Sequence, residues 1–498
     1  MSLIKNILKS IAILFGIAIL VALFGIAIMM VFNVEIFGYK YVKVDSGEKN
    51  LITEVNNADK ISIQTNGVEV EIVNTNDASN IEFKFKSDMH GLFKTDSISD
   101  FNNPVSYTAG FDADNVYEIV INEPSGLYFG NASKLKIWLP NTMTISDLNI
   151  KTGTDKITFS GNTTSRQIVN LSMEVATDLK DYTISDSFTV NQNLTLKTSS
   201  GRFYVNAKVN GNVDIESNVG TFIFDKSVGN GSSSVSIKGE NPSVEFGNIN
   251  DKNSNVDING DIAVECNKGG LIKVSGEVKG TVSVINSPYA ELHLESTAKQ
   301  VTATDGFEKM YITNLNGDAT ISKGDGYLYI KNCNASNLTV TGNKNDVVIE
   351  NLYGDAEISN DYGGIDVTYM ATYKANSVFK AHTENGMINV KNIPCKVDLS
   401  SEKGNIYAEF VNIVGSNVIT TNNQIGVKVK DNLQYNLTAK SKTGDLSISL
   451  GSANFDSWEG AETVDDYKVL TTAVNGGSAS NSLLLQTESG KISAEIIE

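Results

Sequence analysis

The sequence is short of most of what a catalytic or nucleic-acid-binding chain carries. Its 498 residues include 3 Cys, 6 Pro and 3 His. Arginine occurs only as Arg166 and Arg202. Cys266, Cys333 and Cys395 are odd in number and far apart, which excludes a disulfide framework and a cysteine-rich metal cluster. So little proline excludes proline-rich linkers and collagen-like repeats, despite 41 Gly. Positive charge is also scarce: Lys and Arg number 40 against 58 Asp and Glu, a net −18 at pH 7. A nucleic-acid partner needs a basic face to displace phosphate counterions, so none is expected. Charged residues make up 20% and apolar ones 41%, which rules out an acidic disordered tail.

Motifs that could carry chemistry are equally thin. His90, His293 and His382 form no His-Glu-x-x-His pair. Asp112, Asp114 and Asn115 offer closely spaced oxygens, but the stretch lacks the glycine and terminal glutamate of an EF-hand loop. Ser296 to Lys299 and Ser400 to Lys403 spell Ser-x-x-Lys, and residues 151–153 and 442–444 spell Lys-Thr-Gly. That nucleophile belongs on a helix beside its lysine, whereas these lie in β-turn contexts without a Ser-Asp-Asn partner. No catalytic residue, metal site or cofactor is expected.

What is present begins with a long apolar run, Ile11 to Phe32, without one polar side chain. At about 1.5 Å per helical residue its 22 residues span about 33 Å, enough to cross a hydrocarbon core of about 30 Å. Lys5 and Lys9 precede it and no acid occurs before Glu35, so the positive-inside rule places the N-terminus in the cytoplasm and the remainder outside. A cleaved signal would have a shorter core and small residues at its end, which the sequence Met29 to Asn33 does not supply.

After the anchor one pattern recurs: two alternating apolar positions, a polar turn with glycine, then two more alternating apolar positions. Leu194, Leu196, Gly201, Phe203 and Val205 make one copy; Val213, Ile215, Gly220, Phe222 and Phe224 make the next. Gly201 to Gly220 is 19 residues, Gly364 to Gly386 is 22 and Gly386 to Gly404 is 18. Gly153, Gly270, Gly444 and Gly490 occupy equivalent turns, and related turns fall at Asn241, Ser287, Asp325 and Asn345. About fifteen copies fit between residues 146 and 498. A fixed period of this size predicts an all-β, parallel β-solenoid, in which no repeat buries its own apolar face and stacking supplies the core. The turn residues are those that tolerate φ > 0 or bond their own backbone. Val205, Phe224 and Phe246 are expected over one another in adjacent coils. Tyr204, Tyr327, Tyr329 and Tyr407 fall on the outward face, where they could touch sugars or a partner.

The expected organisation is a cytoplasmic N-terminus over 1–10, a transmembrane helix over 11–32 and an extracellular spacer over 33–60. A β region over 61–145 caps the first coil, repeats run over 146–450, and an insertion with the final coil occupies 451–498.

Residues 135–161, with a strand ending in Leu139-Pro140 and a first Thr152-Gly153 turn, together with the Ser/Thr-x-x-Gly units that follow, resemble the bacterial putative-adhesin family of β-strand-repeat proteins. The resemblance covers roughly residues 60–498. It implies a parallel β-solenoid, membrane anchoring or export, association with the cell envelope and no catalytic residues. The long repeat array and late insertion depart from the family pattern. The function expected is a non-enzymatic, single-pass surface protein displaying an acidic rod that binds envelope polymers or proteins. A second expectation is an envelope-stress component whose negative field attracts cationic antimicrobial peptides. A third is an extracellular carbohydrate-active enzyme.

Overall fold

The computed structural model describes residues 2–497, apart from 56–57, 78–79, 99–104, 125, 129–132, 154–155, 162–164, 177–179, 249–253, 325 and 345. The turns expected at Asp325 and Asn345 therefore fall at positions outside the described residues. One long α-helix, Ser2–Phe32, opens the chain. It starts ahead of the apolar run because nothing from Ser2 to Ser10 breaks a helix. Within it, Leu8–Phe32 is apolar enough to cross a membrane or to serve as a signal sequence. The helix ends where Asn33 turns left-handed, with φ of 49°. Phe37 and Gly38, both at positive φ, then form a two-residue reversal closed by Ile36 and Tyr39.

Almost everything that follows is β-strand, divided into two compact units over residues 1–207 and 208–498. In the first, two ladders run from antiparallel to parallel. One passes from Ile81–Lys94 to Ser133–Pro140, then Val68–Thr75, then Ile157–Gly161. The other passes from Ser106–Phe111 to Tyr117–Asn122, Lys60–Asn66, Ile145–Thr152 and Arg166–Val175. Chain order is not ladder order: residues 60–75 lie between strands that follow them in sequence. Residues 39–55, read from sequence as spacer, pair antiparallel with Ile81–Lys94.

The second unit is two parallel ladders in which each strand pairs with the strand two elements further on. In one, Ile272, Leu292, Met310, Leu328 and Val347 form a buried column. In the other, Ile237, Val264, Val284 and Ala303 do the same. Period-2 alternation puts these side chains on one face of every strand, and each fully buried Val, Leu, Ile or Phe is worth about 1.5–3 kcal/mol. Phe224 and Phe246 are register partners with ring centroids 4.7 Å apart. Val205 is buried in the first unit beside Ile184.

The turns explain the Ser/Thr-x-x-Gly spelling. At six of them the buried hydroxyl three residues before the glycine accepts that glycine's N–H: Thr198, Ser217, Thr383, Ser401, Ser441 and Thr487 serve Gly201, Gly220, Gly386, Gly404, Gly444 and Gly490 at 2.6–3.1 Å. Ser401 also donates to the Gly386 carbonyl on the neighbouring turn. The glycines are needed for backbone approach rather than positive φ. A Cβ at Gly404 would lie 1.7 Å from the Gly386 carbonyl oxygen, and one at Gly444 would lie 1.8 Å from that of Gly490. Of the nine glycines expected at turns, Gly270 has a left-handed φ, 137°. Elsewhere asparagines stack: Asn351 donates to Asn332 and Asn332 to Asn314, each at 2.9 Å.

The last copy in sequence is not the last rung. Ser482–Thr487 lies between Ser416–Thr421 and Tyr435–Ser441, parallel to both. Ile492–Ile496 lies likewise between Ile425–Val429 and Leu446–Leu450. The outer edge is closed by antiparallel strands from the insertion, Tyr467–Val474 on one ladder and Ala453–Phe455 on the other.

Candidate functional site

Outward side chains of the second unit fall into columns, one residue per rung, because parallel register repeats about every 4.8 Å. Tyr327 and Tyr329 are half-buried and come together with Tyr311. His293 stacks on Tyr311 at 4.6 Å and bonds Glu291 at 2.7 Å. The bond from His293 and the nearby Lys309 ammonium hold the Glu291 carboxyl below its ordinary value. Partial burial raises the Tyr327 and Tyr329 hydroxyls. Tyr407 stands in the same column as Tyr329, beyond Val348, Asp366 and Asn389. Its ring lies over Gly426, where a Cβ would come within 2.8 Å of Cδ1, so it covers a gap in the sheet face. Tyr204 belongs to the first unit, beside Thr183.

The second ladder carries a deeper feature that the sequence did not signal. His382, Ser400, Thr420 and Gln486 are successive members of one outward column. They form the floor of a groove of about 470 Å³, with Glu402, Asn422 and Glu488 along its rim. Tyr467, at the start of the antiparallel edge strand, is its wall. Lys442 lies over the Tyr467 ring at 5.1 Å and bonds Glu488 at 2.9 Å, which fixes the wall. The Glu488 bond raises the Lys442 ammonium above its ordinary value. His382 Nδ1 is 2.8 Å from Ser400 Oγ.

Chemically, the floor offers a neutral hydrogen-bonding group on every rung and the wall offers an aromatic ring. That combination suits a hydroxylated chain laid across the rungs. Among the described residues no carboxylate bonds the other nitrogen of His382, so the Ser400–His382 contact lacks the orienting acid of a nucleophilic triad. Tyr467 was invisible as a site residue because it lies far in sequence from the strands it faces. The floor residues sit on alternate positions of ordinary strands and read as solvent-facing.

The other sequence candidates are accounted for locally. Asp112 Oδ1 accepts the backbone N–H groups of Asp114 and Val116 at 2.9 and 2.8 Å, closing a turn. Among the described residues, no three His, Cys, Asp or Glu side chains gather as metal ligands. Cys266, Cys333 and Cys395 are free and buried, and burial pushes the first two thiols up to about 12. Arg166, one of the two arginines, is fully buried; its Nη1 donates to the Pro140 carbonyl, and burial pushes it down to about 10.

No family model matches this chain, and no curated protein is similar to it. A crystal structure described as a putative cell adhesion protein from Clostridium sporogenes covers 91% of this chain and 99% of its own, at 9% identity and a TM-score of 0.14. A likeness so slight carries no weight here.

Proposed function

We propose that this chain is a non-enzymatic, membrane-anchored surface protein whose parallel ladders wind as a β-solenoid of about fifteen coils and bind a neutral envelope polysaccharide. The N-terminal helix is its single-pass anchor, with Lys5 and Lys9 on the cytoplasmic side and the β units outside. The observation that carries the ligand class is the groove floored by His382, Ser400, Thr420 and Gln486 and walled by Tyr467. Sugars present hydroxyls to such a floor and apolar ring faces to such a wall. The uncharged floor argues against the cationic-peptide reading, in which affinity would come from the net −18 and fall with salt.

The test is retention of purified wall or capsular polysaccharide by the full chain in detergent. Tyr467→Ala is expected to weaken retention about tenfold, equivalent to about 1.4 kcal/mol. Retention by the parent protein is expected to hold between low and high salt. Unchanged retention by Tyr467→Ala would remove the groove from the function, and turnover of the polymer would overturn the non-enzymatic reading.

A further inference from the structure

The threading of the last rung has a consequence for self-association. We propose that the C-terminal rung, Ser482–Thr487 with Ile492–Ile496, is exchanged reciprocally between two copies of this chain, making the partner a second molecule of the same protein. This deepens the adhesive reading, on which only its cell-to-cell consequence rests.

Three observations support it. First, the rung is intercalated: it has parallel partners on both sides in both ladders, yet it follows the outer rung and its covering hairpins in sequence. Withdrawal leaves a slot two strand spacings wide, about 9.6 Å, lined by unpaired N–H and C=O groups. Leu483, Leu485, Ile492 and Ala494, all buried, fill the interior at that level, so a segment with the same alternation and turn is what fits. Second, the connection is suited to a hinge. Residues 475–481 read Asn-Gly-Gly-Ser-Ala-Ser-Asn, and the first three stand at positive φ of 51°, 89° and 68°. A segment so rich in glycine and serine has many accessible conformations. Third, exchange keeps every contact. The Lys428–Glu495 ion pair at 3.1 Å and the bond from Thr487 Oγ1 to the Asn423 carbonyl at 2.7 Å would re-form between chains. A two-fold exchange of identical segments closes on itself and loses no ladder bond, so only the hinge differs between closed monomer and dimer.

The experiment uses Lys428 and Glu495, which are register partners, exposed and remote from the groove. Full-length Lys428→Cys and Glu495→Cys chains, each with its own tag, are mixed at high concentration in mild detergent and oxidised. A disulfide joining the two tags is expected, because exchange alone sets one cysteine of each chain in register. The double variant Lys428→Cys/Glu495→Cys, oxidised while dilute, should close within its own chain. Self-association should then fall about tenfold. The native cysteines are buried and do not compete. Absence of a mixed-tag disulfide, with the double variant closing normally, would overturn the proposal. A second arm needs no substitution: a synthetic peptide of residues 480–498 should compete with association of the parent chains, and a scrambled peptide should not. Equal competition by both peptides would likewise overturn it. Polysaccharide retention by the locked double variant is expected to match the parent, which separates failure of exchange from failure of the groove.

Discussion

At the scale of single residues, turn glycines that look alike in sequence are not equivalent. Gly404 is buried with the Gly386 carbonyl oxygen 1.7 Å from where its Cβ would be, and its N–H is tied to Ser401. The nearest atom to a Cβ at Gly364 is 3.6 Å away, and its N–H bonds the Asp346 side chain. Gly404→Ala must push two backbones apart and is expected to lower the thermal midpoint clearly, with a cost of roughly 2–4 kcal/mol. Gly364→Ala should cost under about 1 kcal/mol, or stabilise slightly by restricting the unfolded chain. Calorimetry of the two variants checks this, and equal effects would refute the close-approach explanation. The glycines were legible as turns. Which of them touch a neighbour was not, since contact depends on how turns stack.

Between elements, the first unit holds a charge clamp. Glu71 on Val68–Thr75 meets Lys134 at 2.6 Å and Lys136 at 3.8 Å, both on Ser133–Pro140. Burial opposes ionisation, but the bond from Lys134 and the two ammonium charges outweigh it and hold the carboxyl below its unperturbed 4.5. A carboxyl whose folded value is depressed contributes stability that is present above the unfolded value. That contribution is lost as pH falls through the folded value. Glu71→Gln is therefore expected to destabilise the protein at pH 7 and to matter progressively less below about pH 4.5. Thermal midpoints of parent and variant at pH 7 and pH 3.5 test this; a gap that widens on acidification would contradict it. Sequence alternation identified these strands but not their order, because residues 60–75 pair with segments on both sides that come later in the chain.

For the molecule as a whole, intercalation makes the C-terminal segment structural rather than an appendage. Deleting residues 475–498 leaves Tyr435–Ser441 and Leu446–Leu450 without the parallel partners that join them to Ser416–Thr421 and Ile425–Val429. The truncated chain is expected to expose residues 430–474 to limited proteolysis and to aggregate through its open edges. Resistance equal to that of the full chain would show that the edge strands seal the ladder without the last rung.

The amino-acid sequence alone determined the apolar helix, the β character and the period near twenty. It also determined which side chains alternate inward, as with Phe222 and Phe224 or Leu446 and Ile448. These properties are local, set by side-chain polarity at two- and twenty-residue spacings. Only the tertiary structure decided the exchanged rung order at the C-terminal end, the pairing of residues 39–55, the burial of Arg166 and the groove that joins Tyr467 to Gln486 and His382. Strands with the same alternation fit several rungs almost equally well locally. The choice among them is made by backbone pairing and core volume summed over contacts between residues far apart in the chain.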